Sequence, residues 1–251
     1  MTVKRAMAIR PRPQASVPEV AMVMAAGLGK RMRPLTATRP KPLVELAGKA
    51  LIDHVFDRLR AAGVARAVVN VHYLGDALEA HLKSVKGIAT KVSDERDLLL
   101  ETGGGMVRAE PLIDADPFLV VNSDNFWVDG PSDALRLLAS QWREGEMDAL
   151  LLLVPQARAG NHRGVGDFHL DAAGRVSRRK PGKVAPYVYT GIQIVSKRLL
   201  RDAPAGAFST NILWDRAIGE GRCFGAVHEG LWFDVGTPAA IPATEAALAN
   251  G

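Results

Sequence analysis

Short apolar runs alternate with amphipathic segments along the chain from residue 20 onward. Val20–Ala25, Ala67–Val71 and Phe118–Val121 are each short and bounded by polar, glycine or proline residues, which predicts buried β-strands. Leu51–Ala62 instead has one apolar stripe at helical spacing and ends before Gly63, which predicts an α-helix. Strands that alternate with helices in this way are typical of a mostly parallel sheet.

The chain after about Ala149 is richer in predicted strands. Asp167–Leu170 and Arg175–Arg179 flank a four-residue turn, which predicts a hairpin. The other predicted elements are helices over 75–85, 132–144, 210–218 and 238–248, a strand over 187–195, and a strand pair over 224–227 and 231–234. The expected fold class is therefore α/β, with a mostly parallel mixed sheet flanked by helices. In such sheets ligands bind at the carboxyl ends of the strands.

The composition excludes several classes of protein. Of the 251 residues, 47% are hydrophobic and 24% are charged, which excludes collagen-like and low-complexity chains. The single cysteine, Cys223, cannot form an internal disulfide, and the longest apolar stretch is far shorter than the roughly 18 residues that span a bilayer. We therefore expect a cytoplasmic protein with no membrane partner.

The net charge of +5 is of the kind that nucleic-acid binders carry, but its distribution argues against that partner. Residues 1–18 supply four of these charges and contain three prolines and no acid. We expect them to form a flexible basic tail, and residues 19–251 to form a single domain. A nucleic-acid-binding role for the tail stays open as an alternative.

A glycine- and arginine-rich segment follows the first predicted strand. Gly27 and Gly29 permit a close approach of the backbone to a ligand, and residues 29–41 contain five basic side chains and no acid. A dinucleotide fingerprint needs a glycine where Met32 stands, and the spacing of a P-loop is also absent. The position at a strand end favours a phosphate-binding loop, with a solvated charged turn as the alternative.

Five ordered blocks resemble the signature of the sugar-1-phosphate nucleotidyltransferases, also called nucleotide-sugar pyrophosphorylases. The blocks are Gly27-Leu-Gly-Lys-Arg-Met-Arg-Pro-Leu-Thr36 with Arg39-Pro-Lys-Pro-Leu43, Leu100-Glu-Thr-Gly-Gly-Gly105, Val120-Val-Asn-Ser-Asp124, Tyr189-Thr-Gly-Ile192 and Trp232-Phe-Asp-Val-Gly-Thr237. The resemblance implies a Rossmann-like fold with a smaller strand-rich, sugar-binding extension. It divides the domain into a nucleotide-binding part over about 19–150, a sugar-binding part over about 151–237 and a C-terminal helix over 238–250. The implied partners are a nucleoside triphosphate and a sugar 1-phosphate, which react with release of pyrophosphate.

The resemblance also implies roles for individual residues. Arg31 and Lys41 are the implied catalytic cations, placed on the triphosphate and the sugar phosphate. Asp124 and Asp234, each predicted to end a strand at one edge of the sheet, are the implied ligands of Mg²⁺. The implied nucleotide-binding residues are Ala26, Gly27, Gly29, Lys30, Thr102, Gly103 and Gly104. The implied sugar-binding residues are Asn122, Lys180, Thr190 and Gly191, with a solvated strand edge as the alternative for Lys180.

Two positions depart from the usual pattern of this family. Ser123 and Glu101 stand where glycine is commonest, so a relative that binds a nucleotide sugar without catalysis is an alternative. The Glu-Thr-Gly-Gly-Gly form resembles the branch that transfers a uridylyl group from UTP to N-acetylmuramate 1-phosphate in peptidoglycan recycling. Mannose-1-phosphate guanylyl transfer is the second activity that the resemblance allows.

Overall fold

The computed structural model describes residues 16–249. The predicted flexible tail therefore lies outside the described residues except for positions 16–18, of which Val17 is buried in a hydrophobic cluster. The strands are β1 Val20–Met24, β2 Glu45–Leu46, β3 Lys49–Ala50, β4 Arg66–Val71, β5 Ala89–Asp94, β6 Phe118–Asn122, β7 Asn125–Val128, β8 Ala149–Pro155, β9 Ala159–Gly160, β10 Phe168–Leu170, β11 Val176–Arg178, β12 Tyr187–Val195, β13 Cys223–Val227 and β14 Leu231–Asp234. The helices are α1 Leu51–Ala62, α2 Gly75–Leu82, α3 Glu101–Ala109, α4 Ala134–Gln141, α5 Asn211–Gly219 and α6 Ala240–Ala249.

A nine-stranded mixed sheet forms the centre of the fold. Its main path has the order β11-β10-β12-β6-β1-β4-β5, and β8 joins β12 to β13. Strands β6, β1, β4 and β5 are parallel, whereas β12 runs antiparallel to β6 and β8. The predicted α/β class and the hairpin of β10 with β11 are confirmed. Most strands of the second half, namely β8, β10, β11, β12 and β13, extend the same sheet.

Helices cover both faces of this sheet. Successive side chains of a strand point to opposite faces, so Ala21 and Val23 of β1 pack in the cluster that contains α1, α2 and α4. Val20 and Met22 pack in the cluster that contains α3 and α5. Burial on both faces explains why the central strands are continuous apolar runs rather than alternating ones. None of the helices within residues 16–249 combines the length and apolar character needed to cross a bilayer.

The predicted boundaries are most accurate where the signal is local. Helix α1 covers the predicted residues, and Gly63 ends it with a left-handed φ of 93°. Both strands predicted over 224–227 and 231–234 form, but they do not pair with each other. β13 lies parallel to β8, while β14 belongs to a separate sheet of order β7-β14-β9. The chain between them passes so close to the carbonyl of Val128 that only a glycine, Gly230, fits, and this contact directs β14 onto β7.

A buried carboxylate ties the start of β8 to two distant segments. Asp148 accepts hydrogen bonds from Arg198 Nε and Arg222 Nη2, each at 2.9 Å, and its side chain is 9% exposed. Burial acts to raise the pKa of Asp148, but the hydrogen bonds from Arg222 and Arg198 outweigh it, so the pKa is lowered. The carboxylate therefore stabilises the fold above the ordinary pKa of 3.8, and this contribution is lost as the pH falls through the lowered pKa.

We predict that Asp148→Ala lowers the free energy of unfolding by about 2 kcal/mol at neutral pH, because Arg222 loses its carboxylate partner and Arg198 keeps only the more distant Glu144, at 3.7 Å. Urea denaturation at pH 7 and in steps down to pH 3 measures this difference, which should shrink in acid. Asp57→Ala removes an exposed partner of Arg60 and is the control, with an expected loss below about 0.5 kcal/mol. Equal losses in the two variants would contradict the assignment.

Candidate active site

The glycine- and arginine-rich loop after β1 turns at Gly29, whose φ is 59°. A Cβ at Gly29 would lie 3.0 Å from Thr36 Cγ2 and 3.1 Å from Lys41 Cβ, so the loop closes too tightly for a side chain. Thr36 Oγ1 donates to the Gly29 carbonyl at 2.8 Å, and the hydroxyl of Tyr73 donates to the Thr36 carbonyl at 2.9 Å. The loop backbone is thus held in place while the guanidinium of Arg31 stays exposed.

Met32 anchors this loop to another part of the chain. Its side chain is fully buried in a third hydrophobic cluster, together with the two residues that flank Asp234. Arg31 is thereby brought beside Asp234, since a Cβ at Gly236 would lie 2.9 Å from Arg31 Nη2 and 2.7 Å from Asp234 Oδ1. Arg31 has no acidic partner among residues 16–249, so its charge is available to a ligand.

The pairing of β7 with β14 brings the two predicted metal ligands together. Asp124 lies in the turn between β6 and β7, and the register partner of Asp234 is the next residue, Asn125. Both aspartates and Arg31 line a cavity of about 240 Å³, called here the second cavity. The prediction that both aspartates end strands of one sheet is wrong, since Asp234 ends a strand of the small sheet, but their convergence on one cavity is observed.

Lys41 forms an ion pair with Asp124. The side chain of Lys41 is 13% exposed and that of Asp124 is 31% exposed, so the pair is partly shielded from water. The ammonium predicted to contact phosphate thus lies against a carboxylate predicted to bind Mg²⁺. Two carboxylates suit Mg²⁺, which usually takes one or two from the protein and completes its shell with phosphates and water. Within residues 16–249 no cluster of three or more potential ligands competes with this pair.

Three cavities adjoin one another at these residues. The first, of about 390 Å³, is lined by several of the predicted residues, namely Ala26, Gly27, Lys41, Thr102, Asn122 and Asp124. It shares Asn122 and Asp124 with the second cavity. The third cavity, of about 710 Å³, shares Arg31 and Asp234 with the second. We call the three cavities together the cleft. Arg31, Asp124 and Asp234 each line two of its cavities and so lie where these meet.

Gly103 and Gly104 contact protein rather than the first cavity. Their backbone N–H groups both donate to the carbonyl of Phe208, at 2.8 and 3.2 Å. A Cβ at Gly103 would overlap the ring of Phe208, and one at Gly104 would overlap the carbonyl of Gly206. The glycines therefore allow α3 to pack against residues 206–208, and neither lines the first cavity.

Three other predicted residues also lie outside the cavities. Gly29 shapes the glycine- and arginine-rich loop without lining the cleft, and Lys30 is exposed beside it. Lys180 is exposed in a turn closed by a hydrogen bond from the Lys183 N–H to the Lys180 carbonyl at 3.1 Å. The structure thus does not bring Lys180 to the second cavity, where Thr190 and Gly191 lie.

The bulge of β12 opens the second cavity. Gly191 has a φ of 79°, and a Cβ there would lie 2.6 Å from Asn122 Nδ2 and 2.8 Å from Asn125 Nδ2. Thr190 is fully buried and its hydroxyl donates to the carbonyl of Leu152 at 2.8 Å. The predicted residues Asn122, Thr190 and Gly191 therefore meet at one wall, with the Thr190 hydroxyl proton already engaged.

Asn125 and Asn70 were not predicted. Asn125 is 3% exposed and lines the second cavity, and its Nδ2 has no hydrogen-bond partner among the described residues. A buried donor of this kind is suited to a ligand oxygen. Asn70 lines the first cavity. The sequence feature that could have identified it is a polar residue inside the apolar run of β4.

The two departures from the family pattern both line the first cavity. Glu101 adopts a φ of 57°, in the left-handed region that glycine occupies most easily, which explains why glycine is the usual residue there. Ser123 is buried, and its N–H donates to the carbonyl of Met24 at 3.0 Å.

The sequence profile of the nucleotidyl transferase family matches residues 20–251. The chain is 46% identical over 237 residues to an N-acetylmuramate alpha-1-phosphate uridylyltransferase of Caulobacter vibrioides, covering 93% of this chain and 98% of the relative. It is 36% identical to the protein of the same name in Neisseria meningitidis serogroup B, covering 86% and 93%. A mannose-1-phosphate guanylyltransferase catalytic subunit beta of Danio rerio is 30% identical, covering 87% and 61%.

Solved structures show the same fold. The inositol-1-phosphate CTP transferase from T. maritima superposes with a TM-score of 0.75 at 20% identity, covering 93% of this chain and 96% of that one. A UDP-glucose pyrophosphorylase complexed with UDP-glucose superposes with a TM-score of 0.73 at 15% identity, covering 93% and 99%. These similarities support the predicted Rossmann-like arrangement.

We predict that Gly191→Ala lowers the free energy of unfolding by about 3 kcal/mol, because a left-handed φ and a clash with the side-chain amides of Asn122 and Asn125 act together. Gly182→Ala is the matched control, since Gly182 has a φ of 70° but no neighbour within 4 Å of a Cβ, and about 1 kcal/mol is expected there. Thermal and urea denaturation of both variants give the difference. If the two variants lost the same stability, the close approach of Asn122 and Asn125 to Gly191 would be wrong.

Proposed function

The chain belongs to the nucleotidyl transferase family and acts on a sugar 1-phosphate; from this premise we propose that its substrates are UTP and N-acetylmuramate 1-phosphate. The products are then UDP-N-acetylmuramate and pyrophosphate. The observation that carries the proposal is the cleft, in which Arg31, Lys41 and two aspartates meet between two separate cavities. The two relatives of the proposed specificity match nearly the whole chain.

The two ligands are assigned to different cavities of the cleft. The first cavity, at the ends of β1 and β6, takes the nucleoside, because Ala26 and Gly27 leave room for close approach to the backbone. The second cavity takes the sugar, whose hydroxyl or carbonyl oxygens meet the unpartnered Nδ2 of Asn125. The reacting phosphates then lie at the shared junction beside Asp124.

The chemistry proposed is an in-line displacement at the α-phosphorus. An oxygen of the sugar phosphate forms the new bond to phosphorus while the bond to the pyrophosphate breaks, so no side-chain nucleophile is required. Bringing the two anions together costs on the order of 4 kcal/mol per pair of unit charges at about 4 Å and an effective dielectric of about 20. The exposed guanidinium of Arg31 and the ammonium of Lys41 offset this repulsion.

We also propose that Asp124 and Asp234 hold Mg²⁺. The donor set fits, because two carboxylates line the second cavity and the substrates supply the remaining oxygen ligands. The bound ion supplies charge neutralisation and orientation of the phosphates. Lys41, which pairs with Asp124, lies at the junction from which its ammonium can turn to a phosphate. A cytoplasmic location is proposed as well, and the lone buried thiol of Cys223 supports it.

Guanylyl transfer to mannose 1-phosphate is the second candidate, supported by the 30% identity to the Danio rerio relative. The two candidates differ in both base and sugar. Release of pyrophosphate from UTP or GTP, each with N-acetylmuramate 1-phosphate or mannose 1-phosphate and Mg²⁺, separates them. Faster turnover of GTP with mannose 1-phosphate would favour the second candidate, and binding of the nucleotide sugar without any turnover would favour a non-catalytic relative.

We predict that Asp124→Asn and Asp234→Asn each lower kcat by about 100-fold or more, since each removes one metal-binding charge at the reacting phosphates. Steady-state pyrophosphate release with a magnesium titration measures the effect. Asp114→Asn, which removes an exposed partner of Arg66, is the control and should keep full activity. Full activity in either cleft variant would overturn the metal assignment.

A further inference from the structure

Three hydrogen bonds link both sides of the first cavity through two buried side chains. The N–H of Ala25 donates to Asn70 Oδ1 at 2.6 Å, and Asn70 Nδ2 donates to Glu95 Oε1 at 2.7 Å. The N–H of Leu100 donates to the other carboxylate oxygen, Glu95 Oε2, at 3.2 Å. We call this chain of contacts the Asn70–Glu95 bridge.

The bridge joins the two segments that enclose the nucleoside in the proposed function. Ala25 begins the phosphate loop after β1, and Ala25–Gly27 line one side of the first cavity. Leu100 directly precedes α3, and Leu99, Glu101 and Thr102 line the opposite side. The length of the bridge therefore sets the distance between these two sides.

The bridge requires an acidic residue at position 95. Asn70 Oδ1 is occupied by the Ala25 N–H, so Asn70 must present its Nδ2 donor to Glu95, and Leu100 also presents a donor. Only a carboxylate offers two acceptors and no donor to these two groups. Its burial is costly: Glu95 is fully buried, and burial raises its pKa despite the opposing hydrogen bonds from Asn70 and Leu100.

Helix α3 is shaped to admit the bridge. A Cβ at Gly105 would lie 2.9 Å from Glu95 Oε1 and 3.1 Å from Asn70 Nδ2, so a side chain there would press on the contact between them. Asn70 is 1% exposed, yet it lines the first cavity. The bridge is therefore a buried contact at the base of the cavity.

We propose that Glu95 is a positioning residue that, through Asn70, fixes the separation of the two sides of the first cavity and thereby the affinity for the nucleoside triphosphate. This inference rests on the proposed function, because it assigns the nucleotide to the first cavity. The second cavity, with Asn125, Thr190 and Gly191, has no contact with the bridge. Loss of the bridge accordingly weakens binding of the nucleotide and leaves binding of the sugar phosphate unchanged.

The first test uses Glu95→Gln and Asn70→Asp as single variants. Glu95→Gln sets an amide donor against one of the two N–H donors, and Asn70→Asp sets two carboxylates against each other. Each variant should raise the KM for UTP about tenfold, while the KM for the sugar phosphate at saturating UTP changes less than twofold. A proportional rise of both KM values, or no change in either, would overturn the proposal.

The second test combines both substitutions in one chain. In the double variant Glu95→Gln/Asn70→Asp the new amide donates to the new carboxylate, and the N–H groups of Ala25 and Leu100 both keep an acceptor. All three hydrogen bonds are thus restored with the central one reversed and the net charge unchanged. The KM for UTP should return to within about threefold of the original, and failure to recover would contradict the bridge.

A control variant and a binding assay distinguish a general loss of stability from a specific loss of affinity for UTP. Asp148→Asn weakens a buried ion pair away from the cleft and should lower the melting temperature without raising the KM for UTP. Calorimetric titration of UTP reports the same differences in Kd for chains that do not turn over. Absence of turnover in the unmodified chain would thus refute the proposed activity, whereas unaltered UTP affinity in the single variants would refute the bridge.

Discussion

The antiparallel pairing of β7 with β14 is the contact on which the cleft depends. It joins residues more than a hundred positions apart, so that Asp234 lies opposite Asn125 and next to Asp124. The third hydrophobic cluster reinforces it, because Met32 packs with the residues beside Asp234 and carries Arg31 to the same place. Arg31 and the two aspartates are therefore held together by one small sheet and one apolar anchor.

Two of the buried polar side chains, Asn70 and Glu95, lie at the base of the cleft. The two faces of the large sheet are covered by apolar clusters, whereas Glu95 and Asn70 are buried at the carboxyl ends of the strands. Each buried polar group costs free energy unless a partner satisfies it. Among the described residues, Asn125 has a donor without a partner beside the second cavity, and this is the group that the proposed function assigns to a sugar oxygen.

The sequence predicted local features better than distant contacts. The limits of α1 follow from its own apolar stripe and Gly63, and the buried strands follow from continuous apolar runs. The convergence of Arg31 and the two aspartates on one cavity could be predicted because these residues lie in family-like blocks next to predicted strands. The partner of β14 was not, because it depends on how Gly230 passes Val128, a contact that no local pattern encodes. No local pattern predicted the exposed turn that keeps Lys180 away from the second cavity.

The three successive glycines of α3 limit how the protein can change its choice of base. Glycine disfavours an isolated helix by up to about 1 kcal/mol per residue, so this helix depends on its neighbours. Residues 206–208 block a side chain at the first two glycines, and the Asn70–Glu95 bridge blocks one at the third. Under the proposed assignment of the nucleotide to the first cavity, these three glycines are therefore closed to substitution when base preference diverges. Thr102 beside them is held as well, because its Oγ1 accepts a hydrogen bond from the Thr210 N–H at 2.9 Å.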